Sequence, residues 1–319
     1  MQIGEKTNHL VSRKVVLLLV VCVFAWICAY LATNIFYRYS FGLFIWLPLV
    51  LGISSTAFYG WKTNHSKKQL RNFSYLTLLV FCLGLLLFAW EGIICLAMAA
   101  PVGIVFTWVG HLIGFWILKR KSTGTSATII LLMISVPGLM GAESIKQDTD
   151  EVRQVVTKIE INAAPEIVWK NVIAFPKLNE PTEFIFKTGI AYPINATIRG
   201  QGVSAIRYCN FSTGSFIEPI TVWDEPNLLR FSVAEQPIPM DELSPYRIDP
   251  AHLHGYWVSK QGQFRLTRLP NGHTILEGTT WYVNKIQPGL YWNLWSDYIV
   301  HSIHNRVLQH IKSISENLY

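Results

Sequence analysis

In the stretch WSDYIVHSIHNRVLQHI, residues 295–311, an aspartate and two histidines recur at helical spacing within an otherwise apolar, tryptophan-containing run. Asp297 and His301 are four residues apart and His301 and His304 three, so on a helix the three side chains can meet along one face. They are the candidate catalytic residues, and three readings compete for them. A carboxylate that orients a histidine carries a proton near neutral pH. Two histidines and a carboxylate are part of a metal site, which His252, His254 or Glu277 would have to complete. A polar row can also be a hydrogen-bonded seam between packed elements, and packing is the reading taken first. No metal or cofactor is assigned.

A second set of residues suits ligand binding. On GVSAIRYCNF, residues 202–211, the more apolar alternate face is Val203, Ala205, Arg207, Cys209 and Phe211, which turns Arg207 inward. A lone buried charge is costly, so Arg207 needs a carboxylate, and Glu218 and Glu277 lie on neighbouring apolar strands. Such a pair either orients a polar head group or fixes the sheet. The aromatics Phe211, Phe216, Trp223, Phe231, Trp281, Tyr282 and Trp295 are first of all core, and secondly a lining for a ligand. The ligand-binding candidates are Arg207, Phe211, Glu218, Glu277, Trp281, Trp295 and Ile299.

The elements that must position these groups can be read in order. VVTKIEI, residues 155–161, alternates as a half-buried strand. Asn162 as cap and Pro165 in the first turn then open a short helix with Ile167, Val168, Val172 and Phe175 on one side. Strand-like runs follow at 202–211, 216–223, 228–235, 262–269 and 273–283, and Asn271-Gly272 signals a two-residue hairpin. A long helix over about 288–316 closes the chain. At about 100° per residue its apolar arc gathers Trp292, Trp295, Ile299, Val300, Ile303, Val307 and Ile314, which puts Asp297, His301, His304 and Leu308 on the flank. Between two of the strands, residues 235–257 carry four prolines, too many for a central strand. This segment, with Met240, Leu243, Tyr246, Leu253, Tyr256 and Trp257, is either a lid over a cavity or a surface insertion.

The chain has 319 residues, and its composition changes near residue 143. Before that point charged residues leave uncharged runs at 15–37, 39–61, 72–90, 92–118 and 122–142, each long enough to cross about 30 Å of hydrocarbon. Five transmembrane helices are expected in a domain of residues 1–143, with an α+β domain over 144–319. The first run is longer than a cleaved signal peptide's apolar stretch. The third and fourth runs are separated only by Glu91, and Pro101 could break the fourth into a re-entrant piece.

Residues 1–143 hold 11 basic and 3 acidic side chains, and the basic ones collect at Lys6, Arg13 and Lys14, at Lys62, Lys67, Lys68 and Arg71, and at Lys119, Arg120 and Lys121. With five spans these clusters share one side and Arg38 the other, so the N-terminus is expected in the cytoplasm and the C-terminal domain outside it, periplasmic or extracellular. The remaining 16 basic and 17 acidic residues nearly cancel, which argues against a nucleic-acid partner. Cys22, Cys28, Cys82 and Cys95 lie in the apolar runs and Cys209 is the lone cysteine beyond them, so no disulfide can form within residues 144–319. Glu91 and His111 are the two titratable groups that fall among the apolar runs, which leaves transport open as a reading.

NAAPEIVWKNVIAFPKLNEP, residues 162–181, resembles the opening of START-like (SRPBCC) proteins, an APxxVW helix followed by a proline-containing stretch, and the order of elements over about 153–316 is similar to theirs. The superfamily includes polyketide cyclases, pathogenesis-related plant proteins and lipid-transfer domains. The resemblance implies a helix-grip fold, in which a curved antiparallel sheet and a long C-terminal helix enclose an apolar cavity. It implies binding, and possible transfer, of a hydrophobic or lipid-like ligand at the membrane. The alternatives are a cyclase- or hydrolase-type enzyme and a membrane-tethered sensor or scaffold, because one fold carries all three.

Overall fold

The computed structural model describes residues 2–120, 125–145, 151–244 and 248–316, and the side chains within them except those of residues 2–12, 125 and 126. Of the residues named above, Lys121, Tyr246 and the side chain of Lys6 lie outside that set. The chain divides into two compact units, one of Met1–Asp148 with Ser244–Ala251 and Ile286–Pro288, the other of Thr149–Leu243, His252–Lys285 and Gly289–Tyr319.

The first unit is helical. Helix α1 (Gln2–Tyr30) runs into a π-helical turn, Leu31–Ile35, and a second π-helical turn, Gly42–Trp46, leads into α2 (Leu47–Gly60). Then come α3 (Lys67–Leu87), α4 (Ile93–Lys119) and α5 (Thr125–Ile145). Five stretches, Arg13–Ile35, Gly42–Gly60, Lys67–Leu87, Ile93–Lys119 and Ala127–Ile145, are long and apolar enough to cross a membrane. Pro101 lies inside α4 without ending it, so the fourth run is one helix and the break falls before it, where Ala89 takes φ 57°. A capping box opens α3, with Gln69 N–H donating to Ser66 Oγ and Ser66 N–H to Gln69 Oε1 (3.3 and 2.8 Å).

Small residues let α2 and α4 approach closely. A methyl group on Gly52 would collide with the Thr107 carbonyl oxygen, and one on Gly110 with that of Leu49. Beside this seam, fully buried His111 meets Thr56 Oγ1 through Nδ1 at 3.0 Å, and Thr56 meets Ser74 at 2.8 Å. Glu91 lies in the turn between α3 and α4, where it accepts from Tyr39 Oη at 2.8 Å.

The second unit is a seven-stranded antiparallel sheet with a long C-terminal helix, the arrangement of a helix-grip fold. Its strands are β1 (Val152–Ile161), β2 (Pro193–Arg199), β3 (Ile206–Phe211), β4 (Gly214–Asp224), β5 (Leu228–Ser232), β6 (Trp257–Arg268) and β7 (Thr274–Asn284). The order across the sheet is β1-β7-β6-β5-β4-β3-β2, every neighbouring pair antiparallel. Helix α6 (Pro165–Ile173) follows β1 and α7 (Gly289–Glu316) follows β7.

Three local expectations need correction. The N-cap of α6 is Ala164, without a side-chain bond, while Asn162 donates its backbone N–H to Glu316 Oε1 at 2.7 Å. The β6–β7 hairpin closes on Leu269 N–H to His273 O (2.8 Å) with Gly272 N–H returning to Leu269 O (3.0 Å), so three residues turn the chain instead of two. Gly272 takes φ 83° there, the left-handed conformation a three-residue loop asks of its last residue. Strand β2 had no counterpart in the sequence reading.

Candidate functional site

Direction along each strand decides which side chains face α7. On β7, Thr280 and Tyr282 bond to α7 and Leu276 packs in the core with Leu308, so alternation turns Glu277 and Trp281 to the opposite face. This corrects the expectation that those two line the concave side. Glu277 is paired there with Lys158 across the β1–β7 ladder, at 2.9 Å. It therefore cannot join His301 and His304 around one metal ion. His252, another ligand candidate, lies 4.0 Å from Glu242.

The buried residues of α7 are Trp292, Val300, Val307, Leu308, Ile311 and Ser315. At about 100° per residue these cluster around the direction that also carries Asp297 and His304. In the polar stripe, Asp297 and His304 thus lie in the middle of the sheet-facing side, not on its flank, with exposed His301 at its edge, while Trp295, Ile299 and Ile303 lie half-buried to the side.

The stripe is stitched to the sheet, not to itself. Asp297 accepts from Tyr282 Oη (2.5 Å) and from Arg153 Nη2 (3.1 Å). His301 and His304 each place Nδ1 against the hydroxyl of Thr157, at 2.8 and 3.0 Å, and His304 Nε2 meets Thr280 Oγ1 at 2.8 Å. The expected hand-off from Asp297 to His301 is replaced by these cross-element bonds. A threonine hydroxyl donates one proton, so at most one histidine accepts from Thr157 and at least one donates to it from Nδ1. Burial, with exposed His301 close by, pushes His304 down to about 4. Burial and the Asp297 carboxylate push the Tyr282 hydroxyl up.

Further across the concave face, Arg207 and Glu218 stand directly opposite in the β3–β4 register and form an ion pair between side chains that are almost wholly buried. Arg207 Nε donates to the Ile173 carbonyl at 3.2 Å, and its guanidinium lies 5.5 Å from each of the Phe175, Phe231 and Phe264 rings. Burial raises the Glu218 carboxyl, whereas at Arg207 the pairing with Glu218 outweighs the burial cost and keeps it charged. Burial pushes the neighbouring Cys209 thiol up to about 12, so it is no nucleophile near neutral pH.

Along the same ladder toward its turn, Phe211 and Phe216 are half-buried and meet edge to face at 4.8 Å. Trp223 packs edge-on against the fully buried Trp169 of α6 at 5.6 Å, and Phe231 belongs to the packed core. The β3–β4 strip thus grades from a half-open aromatic pair to a dry ion pair in a phenylalanine cage. Ile173, Phe264, Thr157 and Thr280 contribute to the site without having been singled out in the sequence, and Phe175, read there as part of the helix's apolar side, lies just beyond α6. Thr157 carried a signal, since it alternates onto the same face as Val155 and Ile159.

No family model and no curated protein matches the sequence. Among solved structures, truncated norcoclaurine synthase from Thalictrum flavum is 12% identical over 53% of this chain and 96% of its own, with a TM-score of 0.34. The Zhui aromatase/cyclase from Streptomyces sp. R1128 is 11% identical over 52% and 95%, with a TM-score of 0.36. The Aha1 dimer from Colwellia psychrerythraea is 14% identical over 51% and 96%, with a TM-score of 0.32. Similarity at this level assigns neither substrate nor activity to this chain.

Proposed function

We propose that residues 144–319 form a helix-grip domain that binds a hydrophobic or lipid-like molecule on the concave face of its sheet, and that residues 1–143 hold it to a membrane through five spans. The observation that carries this reading is the state of the inward titratable groups. Glu218 is held by Arg207, Asp297 by Arg153 and Tyr282, and His304 by Thr157 and Thr280. A binding module needs apolar lining and little else, whereas a cyclase or hydrolase needs an acid or base free to meet its substrate. The half-buried Phe211, Phe216, Trp295 and Ile299 supply the lining in this reading, and the Arg207–Glu218 pair fixes the sheet behind it. The membrane spans keep such a site beside its supply of apolar ligand.

Native mass spectrometry of the detergent-purified full chain tests the reading. A co-purifying lipid-sized mass, exchangeable for an added apolar fluorescent probe, is the expected result. A chain that takes up no apolar probe would point to the scaffold, and turnover of a bound compound to the enzyme.

A further inference from the structure

Eight basic side chains, Arg13, Lys14, Lys62, Lys67, Lys68, Arg71, Lys119 and Arg120, are exposed at the end of the helical unit formed by the start of α3 and the finish of α2 and α4. Among the residues whose side chains are described, none of the eight has a carboxylate at ion-pair distance. Two carboxylates of this unit whose bonds are described lie toward the other helix ends, where Glu143 accepts from Ser40 Oγ (2.5 Å) and Glu91 from Tyr39 (2.8 Å).

Two of the cations converge. Lys67 Nζ, from the first turn of α3, and Lys119 Nζ, from the last turn of α4, lie 5.6 and 5.1 Å from the centre of one ring, that of Phe115. Arg120 stacks over Trp116 at 3.6 Å, and Arg13 Nη2 donates to the Trp61 carbonyl at 2.7 Å. Tryptophans favour the headgroup level of a bilayer, so Trp61 and Trp116 set these cations at that level. Below them α4 exposes Ile104, Val105, Trp108, Ile113 and Trp116, an apolar strip that suits acyl chains.

From this we propose that the α3–α4 cleft between Lys67 and Lys119 binds the headgroup of an acidic phospholipid, its phosphate between the two ammonium groups and its chains along α4. The proposal rests on the reading of these helices as membrane spans. Two unpaired ammonium groups held near one ring repel each other, and an anion between them relieves that repulsion. A zwitterionic headgroup brings its own cation and relieves it less.

The test uses the full chain in detergent with phosphatidylglycerol or phosphatidylcholine added, adducts being counted by native mass spectrometry. Wild type is expected to retain the acidic lipid in preference. The Lys67→Gln/Lys119→Gln double variant should weaken that retention by roughly thirtyfold at low salt, two charges' worth at the surface. Arg38→Gln, at the opposite end, should leave it unchanged. Equal retention of both lipids by wild type, undiminished retention by the double variant, or full displacement of the lipid by inorganic phosphate would each overturn the proposal. Alkaline carbonate extraction keeps the underlying reading separate. A chain released from membranes by carbonate refutes the spans, whereas one that stays embedded and shows no lipid preference refutes the site alone.

Discussion

At the scale of single residues, His304 and the Arg207–Glu218 pair make opposite demands on their surroundings. His304 is held near 4 by burial against an ordinary value of 6.5, so the unfolded chain takes up its proton before the folded one does. Stability from this group is therefore full above about 6.5 and is lost as pH falls from there to about 4, up to about 3 kcal/mol in all. His304→Gln keeps part of the bonding to Thr157 and Thr280 but cannot titrate, so at pH 7.5 it should cost about 1 kcal/mol. Its melting temperature should then fall less than that of wild type between pH 7.5 and 5. Parallel pH dependence in the two proteins would remove His304 as the cause. For the ion pair, Glu218→Gln leaves a guanidinium without its counter-charge among three phenylalanines, at a cost of about 3–5 kcal/mol. The double replacement Arg207→Met/Glu218→Leu should melt higher than either single variant. A double variant as unstable as the sum of the singles would mean that the two side chains act independently and that the ion pair is not what the single variant loses.

At the scale of elements, α7 does two jobs along its length. Its C-terminal half drives Val307, Leu308 and Ile311 into the main core, and its N-terminal half meets the sheet through the polar stripe and Val300. Ala205, a pocket-facing position by alternation, is buried in that same core, so Ala205→Trp should overpack it, costing about 1–3 kcal/mol of stability or more and lowering the melting temperature. Ile299→Trp, on the half-buried side of α7, should instead reduce uptake of an apolar probe while the melt stays within a few degrees of wild type. If Ile299→Trp binds the probe normally, the ligand does not use that arc. The contrast also shows what the sequence could disclose. Strand and helix order was legible because alternation and helical period mark each segment, and the need of Arg207 for a carboxylate followed from the cost of a lone buried charge, with Glu218 one of the two candidates. The sheet-facing side of α7 was misplaced because counting apolar residues on one helix ignores its partner. Arg153, Thr157, Thr280 and Tyr282 offer bonds that let the polar stripe turn inward. Strand β2 escaped notice because Pro193 and Asn195 interrupt its alternation.

At the scale of the whole molecule, the charge distribution bears on orientation in the proposed membrane reading. The exposed basic side chains gather at the helix ends next to Trp61 and Trp116, and the carboxylates of Glu91 and Glu143 are engaged near the other ends. Lysine and arginine close to span ends are retained in the cytoplasm, whereas acidic residues have little say. If the five apolar helices cross a membrane, as proposed, the chain crosses an odd number of times, and residues 144–319 would come out on the side opposite the basic clusters. That side is where Arg38, the one basic residue between the first two spans, also falls. The number of crossings turns on residues 88–92, between α3 and α4. Alkaline phosphatase fused after Tyr319 is expected to be active, because it folds only outside the cytoplasm, and a green fluorescent fusion at the same point to stay dark. A fusion within residues 62–66 should give the reverse pattern. Fluorescence at the C-terminus, with phosphatase inactive there, would require an even number of crossings, and a fusion at residue 90 would then show whether α3 and α4 enter and leave from the same side.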